Sequence, residues 1–293
     1  MFRAADSPWL VPFDGSFRVA GAATAPPDGT PSEDDLEARL EDSVDRLRDL
    51  QRKLYAQDQI AVLLVFQAMD AGGKDSTIRH VMTGVNPAGC QVFSFKQPSR
   101  EELDHDFLWR TAKCLPERGR IGIFNRSHYE EVLVVRVHPE FLQAQRLPDL
   151  PDDLGELWER RCGAIASWEK HLADAGTMIL KFWLNVSREE QRERFLSRLD
   201  EPEKHWKFSL GDVRERQYWD GYMGAYQDAL NRTSRPWAPW YAVPADDKDF
   251  MRMTVADIIV GNLEACDLAY PTLSDTARSE LEEGRRALVA EAE

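Results

Sequence analysis

Apolar residues along this chain follow two different periods. Residues 60–66 (IAVLLVF) and 177–184 (TMILKFWL) are nearly unbroken apolar runs. Such runs predict strands buried on both faces, as in a parallel sheet. Shorter stretches at 91–95, 120–125 and 240–243 predict three more strands. Elsewhere the spacing changes to threes and fours. Leu36, Leu40, Val44, Leu47, Leu50 and Leu54 predict an amphipathic helix whose stripe packs on the sheet. Ser32 caps it, with an acid three residues on, and it ends near Gln57. Further helices are predicted from residue 75 to about 82, and over 102–114 with Phe107, Leu108 and Trp109 inward. Others are expected over 129–137, 154–173, 187–199, 214–230 and 250–268. Strand and helix alternate without an internal repeat or a break in composition. That predicts one doubly wound α/β sheet with an insert.

Residues 1–31 are rich in Gly, Ala, Pro and Asp and read as an extended arm, ordered around 9–17 and looser beyond 23. The main domain is expected over 32–270. Residues 271–293 read as a charged helical tail that the chemistry does not need.

The 293 residues carry a formal net charge of −14, so the surface as a whole repels nucleic acid. A polyanionic substrate then needs a local basic channel. The four cysteines, Cys90, Cys114, Cys162 and Cys266, form no C-x-x-C and read as thiols in a reducing compartment. No apolar run reaches the ~20 residues of a membrane helix, and the start has no leader-like core. A cytoplasmic protein with no membrane partner is expected.

The first apolar run leads into Ala68-Met69-Asp70-Ala71-Gly72-Gly73-Lys74-Asp75-Ser76. Strand, glycine turn, lysine and helix start make a phosphate cradle of the Walker A type. Helix N–H groups face the anion, and the lysine adds a mobile charge. Ala71, Gly72, Gly73, Lys74, Asp75 and Ser76 are the expected phosphate contacts. Two positions depart from G-x-x-x-x-G-K-[ST]: Ala68 replaces the first glycine and Asp75 the hydroxyl residue. Lys96 follows the strand at 91–95, where it reads either as an anion contact or as a solvated lysine. At the end of the strand at 120–125 an amide, Asn125, occupies the place of a Walker-B carboxylate, and Arg126 follows it.

The helix from Ser187 opens with a capping box. At 100° per residue Phe195, Leu196 and Leu199 form its apolar face, with Arg194, Arg198 and Gln191 on one flank. Glu189, Glu190 and Glu193 fall opposite. This is either an arginine row aimed at an anion or a salt-bridged surface. The loop behind it carries Lys204, Trp206 and Lys207. Residues 188–216 together read as a lid over substrate phosphates. The aromatic face Tyr218, Trp219, Tyr222, Tyr226 reads as core or subunit contact. These residues leave open an ATP-dependent nucleoside or nucleotide kinase, a kinase using a longer phosphate chain and a non-catalytic P-loop binder. The basic insert favours the longer anion.

Four blocks, QAMDAGGKDSTI (67–78), IFNRSHYEEVLVVRVHPE (123–140), EEQRERFLSRLDEPEKHWKFS (189–209) and TSRPWAPWYAVPADDKDF (233–250), resemble the polyphosphate kinase 2 family. The similarity covers about 32–268. The resemblance implies a three-layer α/β/α P-loop kinase fold like that of thymidylate kinase, with a helical lid. It implies Mg²⁺-dependent transfer of phosphoryl groups between inorganic polyphosphate and AMP, ADP or ATP, and assembly as a homodimer or homotetramer. Mapped onto this chain, Asp70, Lys74, Asn125 and Arg126 become catalytic. Arg194, Arg198, Lys204 and Lys207 become polyphosphate contacts. Asp70 holds metal directly or through water, with Glu130 or Glu131 as a further metal ligand or a helix cap. Asn125 in place of aspartate resembles the class III subgroup, which phosphorylates both AMP and ADP.

Overall fold

The computed structural model describes Phe2 and residues 4–291; residues 1, 3, 292 and 293 of the expected arm and tail lie outside the described residues. In chain order, α1 (Glu33–Gln57) precedes β1 (Ala61–Ala68) and α2 (Lys74–Val81) follows it. Next come β2 (Cys90–Ser94), α3 (Arg100–Leu103), α4 (Trp109–Ala112) and β3 (Ile121–Asn125). After α5 (Val134–Val137), α6 (Leu142–Gln145) and α7 (Leu154–Asp174), the chain forms β4 (Thr177–Asn185). Then follow α8 (Arg188–Asp200), α9 (Leu210–Glu215), α10 (Trp219–Thr233), β5 (Trp240–Pro244), α11 (Lys248–Glu264) and α12 (Asp275–Ala290).

The sheet runs β2-β3-β1-β4-β5, with every pairing parallel. Parallel strands need crossovers, and these cover the sheet on both sides. Helices α1, α2 and α11 pack together on one side, and α5, α7 and α10 on the other. This is the three-layer P-loop kinase-like arrangement. All eight residues of β1 are buried, which explains their uninterrupted hydrophobicity. Edge strand β2 is partly exposed, with Val92 half open to solvent.

Register positions the site. Phe66 pairs with Asn125 and Ser94 with Asn125, so β1, β3 and β2 end at one edge. Ligands of open α/β sheets collect at that edge.

Several local expectations are corrected. The helix expected over 102–114 is two short ones. Ser99 and Glu102 close a capping box on α3, and the Asp106 carboxylate takes the Leu108 N–H (2.9 Å), restarting the chain. Trp109 stacks on His105 with ring centroids 3.8 Å apart instead of entering the core. The helix expected over 129–137 breaks into a 3-10 turn, His128–Glu131, and α5. The helix expected over 214–230 is likewise divided, α9 ending at Glu215 and α10 beginning at Trp219. The α1 stripe packs chiefly against α11, while Leu47, Leu50 and Leu54 also join the buried core that contains the sheet residues.

The arm is tied down at several of its described residues. Val11 N–H donates to Trp240 C=O (2.9 Å) and Ala242 N–H to Trp9 C=O (2.8 Å), so the arm pairs antiparallel with β5. That covers a sheet edge otherwise left with unpaired backbone groups. Beyond residue 23, where looseness was expected, Asp246 N–H donates to Thr24 C=O (2.8 Å).

β4 buries a lysine. Lys181 Nζ donates to Glu169 (2.5 Å), the Tyr129 hydroxyl (2.8 Å) and the Thr233 carbonyl (2.9 Å), with no exposed surface. Burial pulls its pKa down to about 8 against the opposing pull of Glu169. Helix α12 projects its leucines into solvent, Leu281 and Leu288 being more than half exposed. Among the described residues no helix is long and apolar enough to cross a membrane.

Candidate active site

The turn from β1 into α2 bends sharply. Gly73 caps the helix with φ 96°, and Ala71 takes φ 60°. Side chains other than glycine seldom adopt such angles. The first intrahelical bond is Thr77 N–H to Gly73 C=O (3.0 Å), so the N–H groups from Gly73 to Ser76 are free for an anion. Lys74 lies beneath this turn, 7% exposed, donating to the carbonyls of Ala68 (2.9 Å) and Met69 (3.4 Å). Burial first, then the Arg126 charge, lowers its pKa to about 8.

Asn125, at the end of β3, donates from Nδ2 to Asp75 (2.8 Å). The residue that replaces the usual hydroxyl thus has an amide partner. Arg126 turns the chain with φ 62°, its N–H donating to Phe66 C=O (3.1 Å). Its guanidinium bridges Asp70 (2.7 Å) and Glu130 (3.2 Å). Glu130 foremost, with Asp70 behind it, raises the Arg126 pKa, so it stays charged.

The far wall comprises α8, the 3-10 turn Pro202–Lys207 and α9. Between wall and cradle lies a cleft of about 830 Å³. The structure brings Asp70 through Ser76, Lys96, Asn125, Arg126, Arg194, Arg198, Lys204 and Lys207 to its lining. Neither Glu130 nor Glu131 lines it. Glu130 faces a small recess behind Arg126. Glu131 is buried against Gln145 (3.0 Å) and Arg161 (3.3 Å), and burial raises its pKa.

The sign segregation expected on α8 does not occur. Glu190 pairs with Arg194 (2.8 Å), and both Glu190 and Glu193 line the cleft beside Arg194 and Arg198. The buried face is Gln191, Arg194 and Phe195, while Leu196 and Leu199 stand exposed. α8 lies over cradle carbonyls, which need polar partners, so an apolar underside does not suit it. Eight basic side chains still face five acidic ones around the cleft, a local positive excess in a chain of net charge −14.

Sequence reasoning missed Lys248, Asp212 and Gln191. Lys248 follows the α11 cap Asp247 inside the block 233–250, and that placement after a strand was the available signal. Asp212 comes to the cleft only because α9 folds back. Burial and the nearby Asp70 raise its pKa against the pull of Arg198. Gln191 read as an unremarkable flank residue.

No group of three or more His, Cys, Asp or Glu suited to a metal occurs among the described residues. The Asp70 carboxylate, about a quarter exposed beside the cradle, suits an ion shared with substrate phosphates and water.

The chain matches the family model Polyphosphate kinase 2 (PPK2) over residues 30–270. It is 55% identical over 250 residues to the ADP-polyphosphate phosphotransferase of Rhodopseudomonas palustris, covering 85% of this chain and 86% of that one. To the AMP/ADP-polyphosphate phosphotransferase of Meiothermus ruber it is 48% identical over 226 residues, covering 77% and 80%. The crystal structure of Polyphosphate Kinase 2 from Arthrobacter aurescens TC1 superimposes with a TM-score of 0.84 at 38% identity, covering 99% of each chain.

Proposed function

Since the chain belongs to the polyphosphate kinase 2 family, we infer that it transfers phosphoryl groups from inorganic polyphosphate to AMP and ADP, forming ADP and ATP. The observation that carries this reading is the cleft itself. Cradle and basic wall line one continuous volume of about 830 Å³, far more than a single phosphate fills.

The acceptor oxygen of AMP or ADP is already anionic, so no general base is required. Catalysis reduces to alignment and charge neutralisation. Free N–H groups of the cradle and Lys74 receive the phosphoryl group being transferred. Arg126, held by Asp70 and Glu130, presents a fixed positive charge at the strand ends. Lys96, Lys204 and Lys207 with Arg198 hold the polyphosphate along the wall. Residues 188–216 act as the lid.

Family members use Mg²⁺, and Asp70 would hold it here together with phosphate oxygens; the ion supplies charge neutralisation at the transferred group. Asn125 leaves the acceptor side with one negative charge fewer than an aspartate would, easing approach of the AMP phosphate. The amide also partners Asp75, against which an aspartate would set a second carboxylate. We place the enzyme in the cytoplasm, where nucleotides are found, and as a homo-oligomer.

The decisive assay incubates the protein with AMP, polyphosphate and Mg²⁺ in the absence of ATP. ADP and then ATP are expected. Absence of product, with activity restored by ATP as donor, would assign the fold to a conventional nucleotide kinase.

A further inference from the structure

The cradle has little room to settle into shape by itself. Ala71 and Gly73 both hold left-handed backbone angles. A side chain at Gly72 would meet the Ala68 Cβ at 2.7 Å, so the loop lies tight against its own start. Ala68 and Ala71 are also less compliant than glycines.

Helix α8 supplies what the loop lacks. Gln191 Nε2 donates to the Asp70 carbonyl (2.8 Å) and Arg194 Nη1 to the Ala71 carbonyl (3.1 Å). Both side chains are at least nine-tenths buried. Gln191 is itself oriented from outside: its oxygen accepts from Arg216 Nη1 (2.6 Å), and Arg216 also donates to Arg188 C=O. Arg194 is engaged at all three nitrogens, with Glu190 on Nε and the carbonyls of Ala245 and Asp246 on Nη2. A guanidinium so occupied is a brace between the cradle and the end of β5, not a free cation awaiting polyphosphate.

We propose that Gln191 and Arg194 are positioning residues that fix the peptide planes of the cradle and couple them to the lid helix. A trans peptide points its N–H opposite its C=O. Holding the Asp70 carbonyl toward α8 therefore turns the Ala71 N–H across the loop. Holding the Ala71 carbonyl fixes the plane whose Gly72 N–H donates to Met69 C=O (3.0 Å). The aim of the phosphate-binding N–H groups and of the Asp70 carboxylate then depends on α8. The kinetic consequence rests on the phosphotransfer reading above; the structural one does not.

Gln191→Glu keeps the size of the side chain but sets a carboxylate against a carbonyl. It is expected to lower kcat by about 10²-fold, the order of loss from sub-ångström to 1 Å misplacement. KM for polyphosphate and for AMP should stay within about threefold. Arg194→Lys keeps the charge but lacks the planar fork needed for three partners, so it should lose kcat as Arg194→Ala does. Restoration of kcat by lysine, or a rise in polyphosphate KM at unchanged kcat, would overturn the proposal and make Arg194 a direct polyphosphate ligand.

Amide hydrogen exchange of the substrate-free protein supplies a readout independent of turnover. Gln191→Glu should speed exchange at Gly72 at least tenfold while amides late in α2 keep their rates. Unchanged exchange at Gly72 refutes the brace whatever the activity. Should Gln191→Glu fail to fold, Arg216→Ala removes only the outer support and should show the same pattern more weakly; unchanged exchange there counts against the proposal equally. A parent protein that turns over no polyphosphate would refute the phosphotransfer reading and leave the exchange result to decide the brace.

Discussion

Lys74 is shielded from water and bonded to two loop carbonyls, and burial brings its pKa to about 8. In the free enzyme the proton that would let it hold phosphate in the proposed role is lost as pH rises through about 8. Polyphosphate kcat/KM is therefore expected to fall toward tenfold per pH unit above that value, as a pH–rate profile would show. The sign for stability is opposite. Between about 8 and the ordinary lysine value the unfolded chain binds more protons, so this group's contribution to stability rises with pH. Lys74→Ala should cut turnover by about 10²–10³-fold or more while circular dichroism stays unchanged. At Asn125 the expected change concerns selectivity. Asn125→Asp places a carboxylate beside Asp75 and should lower the ratio of AMP to ADP turnover. An unchanged ratio in paired initial-rate assays would dismiss the amide's role.

The wall helix shows how element-level reading succeeds in part. Charge and spacing pointed to a basic insert, and Arg198, Lys204 and Lys207 do line the cleft. A helical wheel could not identify the buried side of α8, because that side meets carbonyl groups of another element. Gln191 and Arg194 fill it for that reason, leaving Leu196 and Leu199 to solvent. Arg198 belongs to the open part of the wall, near Asp212 (3.7 Å). Arg198→Glu is therefore expected to raise KM for long polyphosphate severalfold more than for short oligophosphates. Chain-length-resolved kinetics giving equal effects would argue against a channel along the lid.

Across the whole molecule, the buried network of Lys181, Glu169, Tyr129 and Thr233 joins β4 to α7, α10 and the turn after Arg126. Removing one partner leaves an uncompensated buried charge. Lys181→Met should destabilise the protein by about 3–5 kcal/mol in urea unfolding, and adding Glu169→Leu should recover much of that loss. A double variant no more stable than the single would show that shape, not charge, sets the cost. The apolar runs, the α1 stripe, the cradle with its lysine, Asn125-Arg126 and the basic insert were all legible in the sequence, because each depends on neighbours along the chain. The break at Asp106 was not, since a local side-chain bond overrode the spacing there, and neither was the break at Val132, whose backbone leaves the helical region. Nor was the docking of residues 9–11 on β5, or the arrival of Asp212 and Lys248 at the cleft. The sequence by itself determined the order of strand, glycine turn, lysine and helix and supplied most of the basic residues that line the cleft. Only the tertiary structure decided which of the basic side chains, like Arg194, donate to backbone carbonyls across the site, because hydrogen-bond donors are claimed by whatever carbonyls folding brings within reach.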